Sequence, residues 1–167
     1  SINRGCKVLG EAGGVRTVLS GDCMTRGPVV SFPDVLQAHE FCAWIEGDGF
    51  EHCAQLFNAT SSHARLQSVR CKQAGRHVYL RVAATTGEAM GMNMLGKGTD
   101  VLLSGLEGLY PDMRKISLSG NYCIDKKAAP LNWIEGRGKS VIAEAIVPGE
   151  IISSRLHCGV DQLLAVH

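Results

Sequence analysis

The chain has 167 residues, 45% of them hydrophobic, and a formal net charge of +1 at neutral pH. That is enough apolar material for one ordinary domain, or one domain plus part of another; Lys and Arg form no basic block, so neither a nucleic-acid partner nor an acidic membrane surface is indicated. No run approaches the ~18 apolar residues of a membrane helix, and seven scattered cysteines, an odd number, predict reduced thiols in a cytosolic setting rather than a disulfide framework.

Ser1–Gly27 turns at the glycine-rich Gly10–Gly14 and carries a short apolar run at Val15–Leu19; its pattern assigns no further element. Pro28–Phe32 reads as a strand. Pro33 suits the first turn of a helix whose stripe is Val35, Leu36, His39, Phe41, Cys42 and Ile45. Gly47–Gly49 breaks it, and Phe50–Phe57 is a second short helix. Arg65–Lys72 alternates as a half-buried strand does, Gln73-Ala74-Gly75-Arg76 is a hairpin turn, and His77–Ala84 is the returning strand. A helical run opens near Glu88, carries Leu95, Leu102, Leu106 and Leu109, and stops at Pro111; Lys115–Leu118 is a further strand.

Residues 28–118 thus predict an α+β fold, a β-α-β-β-α-β unit in the ferredoxin-like order, with a four-stranded antiparallel sheet and helices on one face. The order alone names no activity. Gly120–Gly138 is then a long polar loop, Ser140–Val147 a strand and Gly149–Val166 helical. The expected organisation is a 28–118 unit inserted into another domain, to which 1–27 and 119–167 belong. The chain opens without a methionine and stops within a helical pattern, as a piece of a longer protein does.

Two stretches carry chemistry. Gly87–Met94 follows a strand and opens a helix, where unpaired backbone N–H groups seat a phosphate and glycines admit a bulky ligand. Its spacing is not the G-x-G-x-x-G of doubly wound dinucleotide folds, and three methionines filling core gaps would explain it as well. Asp125-Lys126-Lys127 lies in the polar loop; a carboxylate there keeps the amines charged, and a desolvated ammonium stabilises a developing oxyanion. A solvated charge run is the alternative. Gly138-Lys139-Ser140 is no P-loop, because the earlier glycine that motif needs is Trp133, and the Cys/His pairs match no zinc spacing, so no metal is expected.

The residues themselves go further. Glu88–Met94, Glu-Ala-Met-Gly-Met-Asn-Met, resembles the Asp-Ala-Met-Gly-Met-Asn-Met signature of the 3-hydroxy-3-methylglutaryl-coenzyme A reductases, with Glu88 for the family's aspartate. Ser119–Lys127 followed by Asn132–Val141 resembles the eukaryotic, class I form, with Ala128-Ala129-Pro130 where the family usually has Pro-Ala-Ala. Met24–Val30 and Ser1–Lys7 are similar to further family segments, so the resemblance spans essentially the whole chain.

The resemblance implies NADPH-dependent reduction of the thioester to mevalonate by two hydride transfers, with the ferredoxin-like unit holding the cofactor and a larger, partly present α/β domain holding the substrate. It implies that Lys126 is catalytic and stabilises the oxyanion. Arg26, Ser119, Asn121, Asp125 and Lys127 would hold the hydroxymethylglutaryl part. Ser1, Asn3, Arg4 and Lys7 would meet coenzyme A, with His157 where the family can place a lysine. Glu88, Ala89, Met90, Gly91, Met92, Asn93, Val141, Ile142 and Ala143 would face the cofactor. So would Ser61, Ser62 and His63, and the absence of arginine at 62 implies a weaker preference for NADPH over NADH. The resemblance further implies a homo-oligomer with sites shared between subunits and an anchor in the endoplasmic reticulum membrane through helices outside this chain. A general-acid glutamate before Ser1, and an aspartate and a histidine beyond His167, complete the implied set. A ferredoxin-like binding module and a non-catalytic relative are the rival readings; an RNA-binding version should show strand aromatics, and the strands carry only Tyr79.

Overall fold

The computed structural model describes residues 1–166. The elements are α1 (Ile2–Glu11), β1 (Arg16–Arg26), β2 (Val29–Ser31), α2 (Val35–Glu46), α3 (Phe50–Asn58), β3 (Arg65–Ala74), β4 (His77–Thr85), α4 (Met92–Leu109), β5 (Arg114–Ser117), α5 (Pro130–Glu135), β6 (Gly138–Glu144), α6 (Gly149–Leu156) and α7 (Val160–Leu164). They form two compact units, Gly21–Ser140 and Ser1–Ser20 with the stretch from Val141 onward.

In the Gly21–Ser140 unit, β4 is the central strand. β3 pairs along one side of it through the hairpin turned by Gly75 (φ 61°). Along the other side lie β1 and then β2, both antiparallel, with β5 beyond β2. The pairs Met24↔Ala84 and Arg26↔Val82 continue into Val29↔Tyr79 and Ser31↔His77 without a change of register. β1 and β2 are therefore one line of strand, interrupted at Gly27-Pro28, where proline has no N–H to give the ladder. Gly27 is required there for a second reason: a Cβ would stand 2.8 Å from the Cys123 amide nitrogen. The expectation that the sequence before Pro28 lies outside the sheet is corrected by this register, and β6 joins beside β1.

Alternation along β4 gives each face its cover. Val78, Leu80, Val82 and Ala84 point into one hydrophobic core with Phe41, Ile45, Phe57, Leu95, Leu102 and Leu106 from α2, α3 and α4. The opposite face carries Tyr79 and Arg81, and the Gly120–Gly136 segment lies over it: a Cβ on Gly120 would meet Val29 at 1.8 Å and Tyr79 at 3.4 Å, and Arg81 Nη2 donates to Gly136 O at 2.6 Å. With both faces covered, Leu80–Ala84 is buried continuously.

Several boundaries differ from the sequence expectation. The α2 helix starts one residue after Asp34, whose Oδ1 accepts from Leu36 N and Gln37 N at 2.9 Å each, so the cap is Asp34 and Pro33 precedes it. Asp34→Ala is expected to cost about 1 kcal/mol of stability, read by urea denaturation at unchanged slope. The α4 helix begins at Met92 rather than near Glu88, because Gly91 stands left-handed at φ 82° and ends the preceding turn. The polar loop contains α5, and the last helical segment is broken at the left-handed His157 (φ 56°).

In the other unit α1 contacts α6, with Val8 and Ile152 buried and Arg155 Nε donating to Glu11 Oε2 at 2.8 Å. Among the described residues no helix is long and apolar enough to cross a membrane.

Candidate active site

The segment that follows β5 builds the lysine-bearing loop. Asn121 (φ 67°) takes the left-handed conformation that asparagine tolerates, whereas the β-branched Ile124 (φ 29°) is strained there, and surrounding contacts must sustain it. Those contacts are the Gly120 N–H to Gly27 O bond at 2.5 Å and the Asn132 Nδ2 to Ile124 O bond at 2.9 Å, with Cys123 buried against Gly27. The result is a cavity of about 490 Å³ lined by Ser119, Asn121, Asp125, Lys126 and Lys127 together with Cys123 and Ile124. The structure thus gathers five of the residues expected to hold or act on a substrate. Arg26 ends β1 immediately before Gly27; it is half-buried, and its Nε has no partner among the described residues.

Asp125 is the electrostatic centre. Its Oδ1 accepts from Arg137 Nη2 at 2.5 Å and its Oδ2 lies 3.4 Å from Lys126 Nζ. Partial burial opposes ionisation of the carboxyl, but the Arg137 and Lys126 charges outweigh it and hold Asp125 below the usual carboxylate range. Lys126 itself is 87% exposed, so its charge is in water in this chain.

The stretch expected to face the cofactor lies in the same unit. Thr86 Oγ1 donates to Ala89 O at 2.6 Å and closes the turn before α4. Gly91 must be glycine, since a Cβ would meet Thr86 Cγ2 at 2.2 Å at an already left-handed φ. The turn projects Glu88, Ala89 and Met90 outward, beside a cavity of about 240 Å³ that Asp22, Met24, Thr86, Gly138 and Lys139 complete. Asp22 and Lys139 pair across it at 2.8 Å. Met92 and Met94 are half-buried on α4, and Asn93 is exposed. Ser61 is brought to this stretch, its Oγ 3.5 Å from Met94 Sδ while it accepts from His63 N and Ala64 N. Ser62 and His63 are exposed beside it.

The remaining predicted residues are in the other unit. Ser1 caps α1, and Asn3, Arg4 and Lys7 are exposed within its first two turns. Val141, Ile142 and Ala143 are exposed on β6.

The sequence profile described as Hydroxymethylglutaryl-coenzyme A reductase matches residues 1–167. The chain belongs to this family. It is 48% identical over 168 residues to the 3-hydroxy-3-methylglutaryl-coenzyme A reductase of Ganoderma lucidum, covering 100% of this chain and 14% of that protein. It is 51% identical over 168 residues to the reductase of Blattella germanica, covering 100% of this chain and 20% of that one. Among solved structures, the class II reductase from Streptococcus pneumoniae, described as bound to NADPH in open conformations, superposes with a TM-score of 0.66 at 18% identity over 96% of this chain and 40% of that chain. The last likeness is one of fold. The chain spans a small part of the length of the curated reductases it matches.

Within this reductase-family chain, three contributors escaped the sequence reading. Arg137 and Asn132 lie in the Asn132–Val141 block that carries the family resemblance, but neither has a role assigned there, and Thr86 lies past the expected strand His77–Ala84. Besides that block, the arginine between two glycines in Gly136-Arg137-Gly138 is the signal that could have drawn notice.

Proposed function

We propose that the chain supplies the cofactor-facing and lysine-bearing part of an NADPH-dependent 3-hydroxy-3-methylglutaryl-coenzyme A reductase. The observation that carries this reading is a single contact chain: Lys126, Asp125, Arg137 and Met92 link the lysine loop to the family's methionine signature. Gly21–Ser140 is then largely the cofactor unit. The antiparallel order β5-β2-β4-β3 with α2, α3 and α4 on one face supports a ferredoxin-like assignment to residues 28–118, with 1–27 and 119–167 belonging to the substrate domain.

The residues present fit a nicotinamide dinucleotide. The start of α4 presents unpaired N–H groups, Gly87 leaves open space above the turn, and exposed Met90 with half-buried Met92 gives a flat group soft apolar surface. When bound, the cofactor supplies the hydride. Lys126 holds its ammonium where the thioester oxygen gains charge; Asp125 and Arg137 fix that loop; Ser119, Asn121, Lys127 and Arg26 hold the hydroxymethylglutaryl group, the arginine by bidentate grip of the carboxylate. An ammonium 87% in water stabilises an oxyanion weakly, so the reading requires further protein over Lys126, which a site shared between subunits supplies. Ser1, Asn3, Arg4 and Lys7 carry coenzyme A, and the complete enzyme is anchored in the endoplasmic reticulum membrane by segments outside this chain.

The test is thioester-dependent consumption of NADPH by the complete enzyme, with mevalonate identified as the product; consumption without mevalonate, or none, rejects the reading. Cofactor choice gives a second result. Ser62 is exposed and carries no charge beside the Ser61–His63 turn, where Arg65 Nη1 is spent on Ser61 O and Ala64 O at 2.8 and 2.7 Å. Ser62→Arg adds a charge-assisted contact to the 2′-phosphate and is expected to widen the NADPH-to-NADH ratio of kcat/KM by about tenfold. An unchanged ratio would assign the phosphate to another residue.

A further inference from the structure

Arg137 stands between Gly136 (φ 76°) and Gly138 (φ 75°), and its side chain is only 12% exposed. One nitrogen, Nη2, makes both of its close contacts: Asp125 Oδ1 at 2.5 Å and Met92 Sδ at 3.3 Å. Its Nε is buried without a partner among the described residues. Burying a guanidinium with an unfilled donor opposes folding, so packing alone gives no reason for an arginine here. Among the described residues Asp125 is also the one carboxylate paired with Lys126. The same aspartate is therefore shared between a nearly buried, permanently charged fork and the exposed ammonium next to it in sequence.

We infer that Arg137 is a positioning residue for the reduction: it fixes the Asp125 carboxylate, through it the Lys126 ammonium, and ties both to the Met92 end of the cofactor-facing stretch. This rests on the reductase reading above. Without the guanidinium, Asp125 is left to Lys126 alone, and the left-handed backbone at Asn121 and Ile124 loses a tether of the loop. The reacting centre then moves relative to α4 while the groups that carry the chemistry stay present. The loss falls on kcat, because the chemistry needs the ammonium placed against the developing charge.

The experiment uses the complete enzyme with Arg137→Ala, Arg137→Lys, Asp125→Asn and the double variant Arg137→Ala/Asp125→Asn. Steady-state kinetics, NADPH affinity by titration calorimetry and Tm are read for each. Arg137→Ala is expected to lower kcat by up to about 100-fold, the order seen for a ~1 Å misplacement, with NADPH affinity changed no more than about twofold. Methylguanidinium in the buffer restores part of that kcat, which repair of a merely structural defect does not predict. Arg137→Lys keeps the charge without the fork and gives an intermediate kcat at parental Tm. The double variant is no slower than Asp125→Asn alone, because the arginine acts through the aspartate. Losses that multiply in the double variant overturn the inference, as does an Arg137→Ala enzyme of parental kcat, or a loss that methylguanidinium leaves untouched in both arginine variants. A parental enzyme that does not reduce the thioester rejects the function itself, and the inference with it; the two failures are told apart by the unsubstituted protein.

Discussion

Lys126→Ala in the complete enzyme is expected to lower kcat by about 10²–10³ while NADPH binding stays nearly intact. Hydride addition to a thioester puts negative charge on oxygen, and that charge grows in the transition state. Removing one preorganised oxyanion donor costs ~3–4 kcal/mol of transition-state stabilisation in water-excluded sites. Lys126 is suited to be that donor, since it lines the cavity beside Asp125, the one carboxylate its ammonium pairs with among the described residues. Lys127 lines the same cavity, but its expected task is ground-state grip, so Lys127→Ala raises KM more than it lowers kcat. The comparison of the two single variants separates these roles: equal effects on kcat would mean that neither lysine is dedicated to the oxyanion.

The second large effect comes from a residue with no chemistry. Gly120→Ala places a methyl carbon 1.8 Å from Val29 Cγ2, on a β-branched side chain that is itself buried in the sheet. Neither backbone can give way: Val29 is held opposite Tyr79 and Ser117 in its ladders, and Gly120 N–H is bonded to Gly27 O; the added carbon also stands 3.3 Å from Val29 Cβ, which no side-chain rotation moves. The loop must lift from the sheet, and the cavity wall from Ser119 to Lys127 moves with it. The expected result is a loss of kcat/KM of about 100-fold, with a stability cost of about 1–3 kcal/mol, typical of overpacking. Gly96→Ala is the control. It lies within α4 with nothing inside 4 Å of the added carbon, and it should stabilise the enzyme by up to ~1 kcal/mol without changing kcat.

Much of the fold is legible because it follows local rules. The β3–β4 hairpin is written in alternation around Gly75, and α4 in the spacing of Leu95, Leu102 and Leu106. What was not legible is non-local. That β1 continues β2 in one register along β4 depends on a partner strand far away in sequence, as in Met24↔Ala84 and Ser31↔His77, and Pro28 reads as a beginning when it is an interruption. The α5 helix escapes because it buries none of its residues; Trp133 is 90% exposed, so no apolar stripe marks it. The start of α4 lies later than the sequence predicts because Glu88-Ala89-Met90 has helix-forming residues, whereas the Thr86 to Ala89 bond and the left-handed Gly91 decide otherwise.

The site divides in the same way. Asp125, Lys126, Ser119, Asn121 and Lys127 are close in sequence, and a short loop could only bring them together. Their tie to Met92 runs through Arg137, a residue 12 positions after Asp125 and 45 after Met92, and no pattern in the chain announces that meeting. Ser61 reaching Met94 across 33 positions is of the same kind.

In the proposed function one unit brings the lysine-bearing loop and a helix start that faces a dinucleotide to a single reduction, and stoichiometry is its test. With purified complete enzyme, limiting 3-hydroxy-3-methylglutaryl-coenzyme A and excess NADPH, two equivalents of NADPH should be oxidised for each mevalonate and each free thiol of coenzyme A formed, because a thioester needs two hydrides to become an alcohol. Release of coenzyme A without NADPH oxidation, or NADPH oxidation that does not depend on the thioester, would contradict it.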